Sequence, residues 1–286
     1  MTEPAVDTDA PQPRPIVHGV ASALSPLVRR IVANNPGRMT GPGTNTYLVG
    51  IDEIVVIDPG PDDAAHLDAI AGCGGDRFRW IVCSHTHIDH FPGAAGLKAR
   101  TGAEVLAFDA RDGLEIDRSL RDGDSIEATE FVLRAVHTPG HASNHLCFLL
   151  EQERMLFSGD HIMEGSTVVI RPPDGDMATY LQQLERLKGL RPRLRSIAPG
   201  HGYLIERPAE KIDEYLQHRA MREAQVLDLL RADGPIRIDA IVTVLYPEVP
   251  DELVPMAAGT VWAHLIKLKQ EGLAKGTNPD KAWSAA

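Results

Sequence analysis

Four side chains able to bind a metal stand within six positions of the segment SHTHIDHFPG: His85, His87, Asp89 and His90. Three later segments repeat the theme, HTPGH ending at His141, FSGDH around Asp160 and APGHG around His201. Imidazole nitrogen and carboxylate oxygen are a usual ligand set for zinc, with manganese or iron also suited. Five imidazoles and two carboxylates suffice for two divalent ions. Ions on the order of 3.5–4 Å apart would lower the pKa of a shared water toward ~7, giving a bridging hydroxide as nucleophile at neutral pH. The chemistry on offer is therefore hydrolysis, one ion polarising a phosphoryl or carbonyl oxygen while the other stabilises the leaving group. In that scheme Asp89 both coordinates metal and orients the attacking hydroxide, and His145, four residues after His141, is a candidate for supporting a ligand or donating to the leaving group, with a structural role the simpler expectation. The alternative, scattered structural histidines, must explain four ligand-type residues in six positions and three Gly-rich echoes of them.

Such residues need elements to deliver them. The apolar run Trp80 to Cys83 reads as a buried strand that ends just before His85. In extended backbone residues two apart share a face, so His85 and His87 can address one ion, whereas in a helix they would diverge by about 200°. Pro92 suits the first turn of a helix continuing through Ala94 to Ala99, which places Asp89 near a helix N-terminus. Further strands are expected at Tyr47 to Val49, Ile54 to Ile57, Val105 to Phe108, Phe131 to Val136, Leu146 to Leu150, Met155 to Phe157 and near Ile197. Helices are expected near Ala64 to Ala71 and over Met177 to Leu187. Each ligand segment thus follows a strand and sits in turn sequence.

With these residues in place the chain resembles the metallo-β-lactamase superfamily. The resemblance implies an α/β fold, an αββα sandwich with metals at one edge of the paired sheets. It further implies that His85, His87 and His141 hold one ion, that Asp89, His90 and His201 hold the other, and that Asp160 bridges them. Asp58, in IDPGPD, matches the superfamily's first motif and is expected to orient a ligand rather than bind metal, with a simple turn aspartate as the other reading. NNPGRMTGPGTNTYLVG (Asn34 to Gly50), TPGH, FSGDH and the tail after residue 208 resemble more closely the β-lactamase-like protein 2 family. That resemblance implies metal-dependent endonucleolytic cleavage of single-stranded RNA. It also suggests that Asn45, Thr46 and Thr167 line the substrate cleft.

The rest of the chain bounds these expectations. With 286 residues and 43% hydrophobic content, it is long enough for two domains and a full core. We expect a disordered tail over residues 1–20, a catalytic domain over 21–208 and a small winged-helix-like domain over 209–286. No apolar stretch is long enough to span a membrane. The acidic, proline-rich start is neither a secretory signal nor an Arg-rich transit peptide. Cys73, Cys83 and Cys147 form no paired framework, which suits a cytoplasmic setting.

In the tail, helices are expected at Glu210 to Arg231, Asp239 to Tyr246 and Ala257 to Glu271. The first would bury Ile212, Leu216, Ala220, Ala224, Leu227 and Leu230, and two short strands around Asn278 to Asp280 would form a wing. A winged helix invites a DNA-binding reading, but residues 209–286 carry nine Lys or Arg against twelve Asp or Glu. Covering the active-site edge or forming a homodimer contact is at least as good a use. The overall charge of −11 also disfavours non-specific polyanion binding.

Three other hydrolase readings can be weighed. A genuine β-lactamase would carry cysteine or serine where Asp160 stands, although weak lactam opening is within the chemistry. A thioesterase of the glyoxalase II type shares all seven ligands. The large processing nucleases insert a domain for which the forty residues between Asp160 and His201 leave no room, so any RNA cleavage would use an open groove that prefers unpaired strands.

Overall fold

A computed structural model describes residues 15–165, 167–232 and 234–286. Its framework is two twisted sheets packed face to face. The first comprises β1 (Ser22–Ala23), β2 (Val28–Val32), β3 (Asn45–Val49), β4 (Ile54–Ile57), β5 (Phe78–Val82), β6 (Glu104–Ala107) and β7 (Arg118–Ser119), hydrogen-bonded in chain order. β1 to β4 pair antiparallel and β4 to β7 parallel. The parallel pairs need crossovers; these include α1 (Ala64–Gly72) between β4 and β5 and α2 (Gly93–Thr101) between β5 and β6.

The second sheet contains β8 (Ser125–Glu127), β9 (Val132–His137), β10 (Leu146–Leu150), β11 (Met155–Gly159) and β12 (Ser196–Pro199), in the order β12-β11-β10-β9-β8. α3 (Met177–Lys188) crosses from β11 to its parallel neighbour β12.

Alternation along the strands sends one set of side chains between the sheets and the other outward. Tyr47, Val49, Val55, Ile57, Phe148 and Phe157 form the core between the sheets. Leu48, Val56 and Ile81 face α1 and α2, while Cys147, Leu149 and Leu156 face α3 and the helix that follows. The architecture is the expected αββα sandwich. β2 was not anticipated, because its central arginines Arg29 and Arg30 break the apolar run; Arg30 is nevertheless buried, donating from Nη1 to the Gly202 carbonyl at 2.9 Å.

Two expectations about the chain's periphery change. Residues 1–14 of the expected tail lie outside the described residues, but His18 bridges Val32 and the Gly19 N–H donates to the Val32 carbonyl at 2.9 Å, so the chain is already paired before residue 20. α4 (Pro208–Ala232) is one continuous helix serving two cores. Ile212 and Tyr215 pack on the second sheet, whereas Val226 and Leu230 join α5 (Ile238–Leu245), α6 (Val254–Gln270) and the strand pair β13 (Ala274–Lys275) and β14 (Ser284–Ala285) around Trp283. Ala220 and Ala224 are exposed at the hand-over, and Arg219 is buried instead. A single 3.6-residue stripe fails here because each half of the helix turns toward a different partner. The three helices and the β13/β14 wing are the winged-helix unit expected of the tail.

Candidate metal centre

β5 stops at Val82, and the next eight residues run as irregular backbone over the ends of the strands. The His85 and His87 rings approach from that segment, with Nε2 of His85 2.9 Å from Nδ1 of His87. His141, from the turn between β9 and β10, brings its Nε2 to 3.0 Å from the same His87 nitrogen. Asp160, just past β11, completes this group, with Oδ2 3.9 Å from Nε2 of His141. A second group adjoins it. Nε2 of His201, after β12, lies 3.2 Å from Oδ2 of Asp89, and Nε2 of His90 lies 3.4 Å from that same oxygen. Oδ1 of Asp160 reaches this group too, at 3.3 Å from His90 and 3.4 Å from His201.

Within each group, His85, His87, His141 and Asp160 in one and Asp89, His90 and His201 in the other, one donor atom per residue lies within 4.8 Å of every other. All seven residues expected as ligands are thus brought together, with Asp160 standing between the groups.

The donor set fits a pair of cations on its own chemistry. Nε2 of His90, Nε2 of His201 and Oδ1 of Asp160 are buried polar atoms with no hydrogen-bond partner, and all three point into the second group. Buried polar atoms are rarely left so; a cation satisfies all three at once.

The electrostatics agree. Burial, reinforced by the neighbouring imidazoles, holds His85 well below the ordinary histidine range, and burial with His141 beside it holds His87 at about 4. These rings are neutral at neutral pH, the form in which an imidazole can bind metal. Burial also opposes charge on His90 and His201, but the adjoining carboxylates outweigh it: Asp89 and Asp160 raise His90 well above its usual value, and Asp160 raises His201 to about 9. Asp89 is held at about 2, burial being overcome by His90 and His201. The two carboxylates draw positive charge to this spot.

Four of the five rings, those of His85, His90, His141 and His201, are fixed through their other nitrogen, as ligating imidazoles usually are. His141 Nδ1 meets the Val169 carbonyl at 2.8 Å, and His201 Nδ1 meets that of Gly43 at 3.2 Å. Asp58 serves two rings. It lies 2.9 Å from Nδ1 of His90 and accepts from the Ser84 hydroxyl at 2.7 Å, and that hydroxyl lies 3.0 Å from Nδ1 of His85. The Ser84 N–H also donates to it at 2.6 Å. Asp58 adopts a left-handed φ of 51°, uncommon outside glycine and tolerated by aspartate, so the backbone bends unfavourably to aim this carboxylate inward. Ser84 was not anticipated; its place immediately before His85 was the only signal.

Close approach explains one glycine of the APGHG segment. A Cβ on Gly200 would sit 2.6 Å from Oδ1 of Asp160 and 2.8 Å from Cε1 of His90. Gly200→Ala is expected to weaken zinc binding by about 10- to 100-fold, the equivalent of ~1–3 kcal/mol of overpacking. Calorimetric zinc titration would show it; wild-type affinity in that variant would mean the loop yields without consequence.

The structure decides between the readings of His145 and corrects those of Asn45 and Thr46. His145 is fully buried beneath the site, its Nε2 accepting from the Asp160 N–H at 3.2 Å and its Nδ1 2.9 Å from Thr138 Oγ1. With both nitrogens engaged it cannot donate to a leaving group; it supports the Asp160 backbone. Asn45 is also buried, its amide donating to the carbonyls of Pro199 at 2.8 Å and Gly202 at 3.0 Å, so it ties β3 to the His201 loop instead of lining the cleft. Thr46 is buried likewise, its hydroxyl donating to the Asp58 carbonyl at 2.7 Å. Thr167 does line the cleft.

That cleft, of about 840 Å³, begins at His87, Asp89, His141 and Asp160 and runs between the two domains. Its far wall is α6, where Met256, Ala257 and Thr260 face it. At the rim, Arg38 pairs across the domains with Glu252 at 3.0 Å.

Comparison with known proteins agrees with the geometry. Residues 39–201 match the Metallo-beta-lactamase superfamily and residues 238–283 the Beta-lactamase associated winged helix domain. A Drosophila melanogaster protein named Beta-lactamase-like protein 2 homolog is 35% identical over 269 residues, covering 87% of this chain and 90% of its own. An Aspergillus fumigatus protein named Atrochrysone carboxyl ACP thioesterase is 33% identical over 211 residues, covering 71% and 65%. Among solved structures, a beta-lactamase domain protein from Burkholderia ambifaria superimposes with a TM-score of 0.79 at 21% identity, covering 94% of each chain. Sequence, fold and the placing of the ligand loops lead to one assignment: the chain belongs to the metallo-beta-lactamase superfamily of hydrolases, in the branch that carries a C-terminal winged-helix domain.

Proposed function

We propose that this protein is a dinuclear metal-dependent hydrolase of acyl substrates, and that a thioester with a largely apolar acyl group is the class its cleft suits best. One observation carries the reading: the ligand groups open onto a cleft whose walls are largely apolar and come from both domains, the apolar residues including Met39, Ile88, Met163, Val169, Leu253 and Met256. Each methylene buried there contributes about 0.8 kcal/mol of binding. The relative named Atrochrysone carboxyl ACP thioesterase supports the same class.

Single-stranded RNA, implied by the family resemblance, suits these walls less well. A bound strand uses a basic track and exposed aromatic faces. Among the described residues lining the cleft, Tyr246 is the one aromatic ring of that kind, and Arg222 already covers it at 4.3 Å. The DNA-binding reading is weakened as well. α6, the helix a winged-helix unit would place in a groove, buries Ala263 against the catalytic domain and turns Met256 and Thr260 to the cleft.

In this reading residues 21–208 supply the chemistry and residues 209–286 one wall of the substrate site. Two divalent cations, zinc by ligand type with manganese or iron as alternatives, supply when bound a Lewis acid and an activated water. His85, His87 and His141 would hold one, Asp89, His90 and His201 the other, and Asp160 both. Asp89, partly open to the cleft and ionised at neutral pH, accepts a hydrogen bond from the attacking water and so orients it. Asp58 and Ser84 keep His85 and His90 aimed, and His145 keeps Asp160 in place. Thr167 offers a hydroxyl at the cleft wall.

A side-by-side turnover assay of metal-replete protein on a decanoyl thioester, single-stranded RNA and a β-lactam tests this. The expected result is chelator-sensitive thioester hydrolysis with kcat/KM at least ~100-fold above the lactam and no RNA cleavage. RNA as the preferred substrate would replace the acyl reading with an endoribonuclease.

A further inference from the structure

We propose that Arg171 heads an anion subsite in the cleft, taking a carboxylate or phosphate that the substrate carries away from the bond cleaved; this deepens the acyl-hydrolase reading and rests on it. Arg171 lines the cleft, is exposed there, and its guanidinium has no hydrogen bond or ion pair with any described residue.

The other charged groups of the cleft, Arg219 apart, are already engaged. Asp89 and Asp160 lie among the histidines. Asp174 accepts from Arg111 at 3.3 Å and from the Ser143 N–H at 3.1 Å. Arg38 at the rim is paired with Glu252. In a chain of net charge −11, the cleft thus keeps a cation with no carboxylate beside it.

The side chain is seated rather than free to sweep. Its stem lies on Gly259 of α6, where an added Cβ would come 2.9 Å from Cγ of Arg171. Its backbone is closed into a turn by the Gly175 N–H, which donates to the Arg171 carbonyl at 2.8 Å. Val169, whose carbonyl holds His141, is two residues away, so the two Cα atoms lie within about 7 Å of each other. The subsite and the metal centre therefore share one wall.

Arg219 points the same way independently. It lines the same cleft at 2% exposure, with one donor on the Val168 carbonyl, its guanidinium 5.7 Å from the Tyr180 ring centroid and its Nε without a partner. A buried cation normally recruits an anion, and among the described residues no ion pair is formed with it. An anionic oxygen group entering the cleft would meet Arg171 with the field of Arg219 behind it. Guanidinium favours carboxylate and phosphate through bidentate hydrogen bonds.

Three thioesters sharing a ten-carbon acyl chain test the proposal: decanoyl-coenzyme A, the neutral decanoyl N-acetylcysteamine thioester, and the same cysteamine thioester of decanedioic acid. Arg171→Met is expected to raise KM at least ~10-fold for an anionic probe, with kcat and the neutral probe unchanged and Arg171→Lys recovering part of the loss. A shift confined to the coenzyme A thioester assigns the anion to phosphate on the thiol portion; a shift confined to the diacid assigns it to a carboxylate on the acyl portion. Equal KM changes for neutral and anionic probes, or none, would overturn the subsite. Should wild-type protein hydrolyse no thioester, the acyl reading fails, and calorimetry with decyl phosphate on metal-free protein still decides the subsite. At least ~10-fold weaker binding by Arg171→Met upholds it, and equal affinity overturns it.

Discussion

Asp160→Ala is expected to reduce hydrolysis at least ~10³-fold, the largest effect of any single substitution in the chain. Asp160 reaches donor atoms of both ligand groups directly, with Oδ1 between His90 and His201 and Oδ2 toward His141. Its removal takes a carboxylate from each group at once and leaves Asp89 as the remaining carboxylate facing the Nε2 atoms of His90 and His201. Metal stoichiometry should fall below two per chain. Because a ligand that binds only the folded state stabilises it by RT ln(1 + [L]/Kd), zinc at 100 times its Kd contributes about 2.7 kcal/mol. Zinc should therefore raise the thermal midpoint of the wild-type protein by several degrees and that of the variant much less. The fold itself should persist, since His145 bonds the backbone N–H at position 160 and not the side chain. Two bound equivalents together with more than a tenth of wild-type turnover in Asp160→Ala would refute the shared role.

Asp58→Ala should produce the second largest loss, although Asp58 touches no proposed substrate position. This buried carboxylate accepts from both Ser84 donors and pairs with His90, and through the Ser84 hydroxyl it also fixes His85. One residue thus aims a ligand of each group. Losing such an orienting partner typically costs 10- to 100-fold in metal affinity. The acceptors lost by the Ser84 N–H and His90 Nδ1 would add about 2–4 kcal/mol of destabilisation. Alanine also sits poorly at a φ of 51°, so Asp58→Asn, which tolerates that conformation, separates charge from backbone strain. Zinc titration and denaturant unfolding of both variants check this. Asp58→Asn with wild-type affinity at both sites would show that shape rather than charge holds the rings.

Much of the site was legible in the chain because its signal is local. His85, His87, Asp89 and His90 lie in one short segment, and a strand running out into a turn can present them in only a few ways. The later histidines and Asp160 stand at the ends of apolar runs, which are strands for the same reason they are apolar: both faces of each sheet are covered. Strand positions at β4, β5, β9, β10 and β11 therefore matched the sequence closely. β2 did not, because a buried arginine that donates to a distant carbonyl, as Arg30 does, looks like a surface residue in a linear reading.

By itself, then, the sequence determined which atoms are available as ligands, which strands carry them and that two ions are the natural complement, since these follow from residue type and short-range periodicity. Only the tertiary structure decided what surrounds them. It turned His145 and Asn45 inward, because partners fifteen and more than a hundred and fifty residues away claim their polar atoms. It split α4 between two cores and buried Arg219, and it laid α6 against the catalytic domain to make an apolar wall. Those outcomes depend on packing between segments far apart in the chain, and no local pattern of residues encodes which distant surface a side chain will meet.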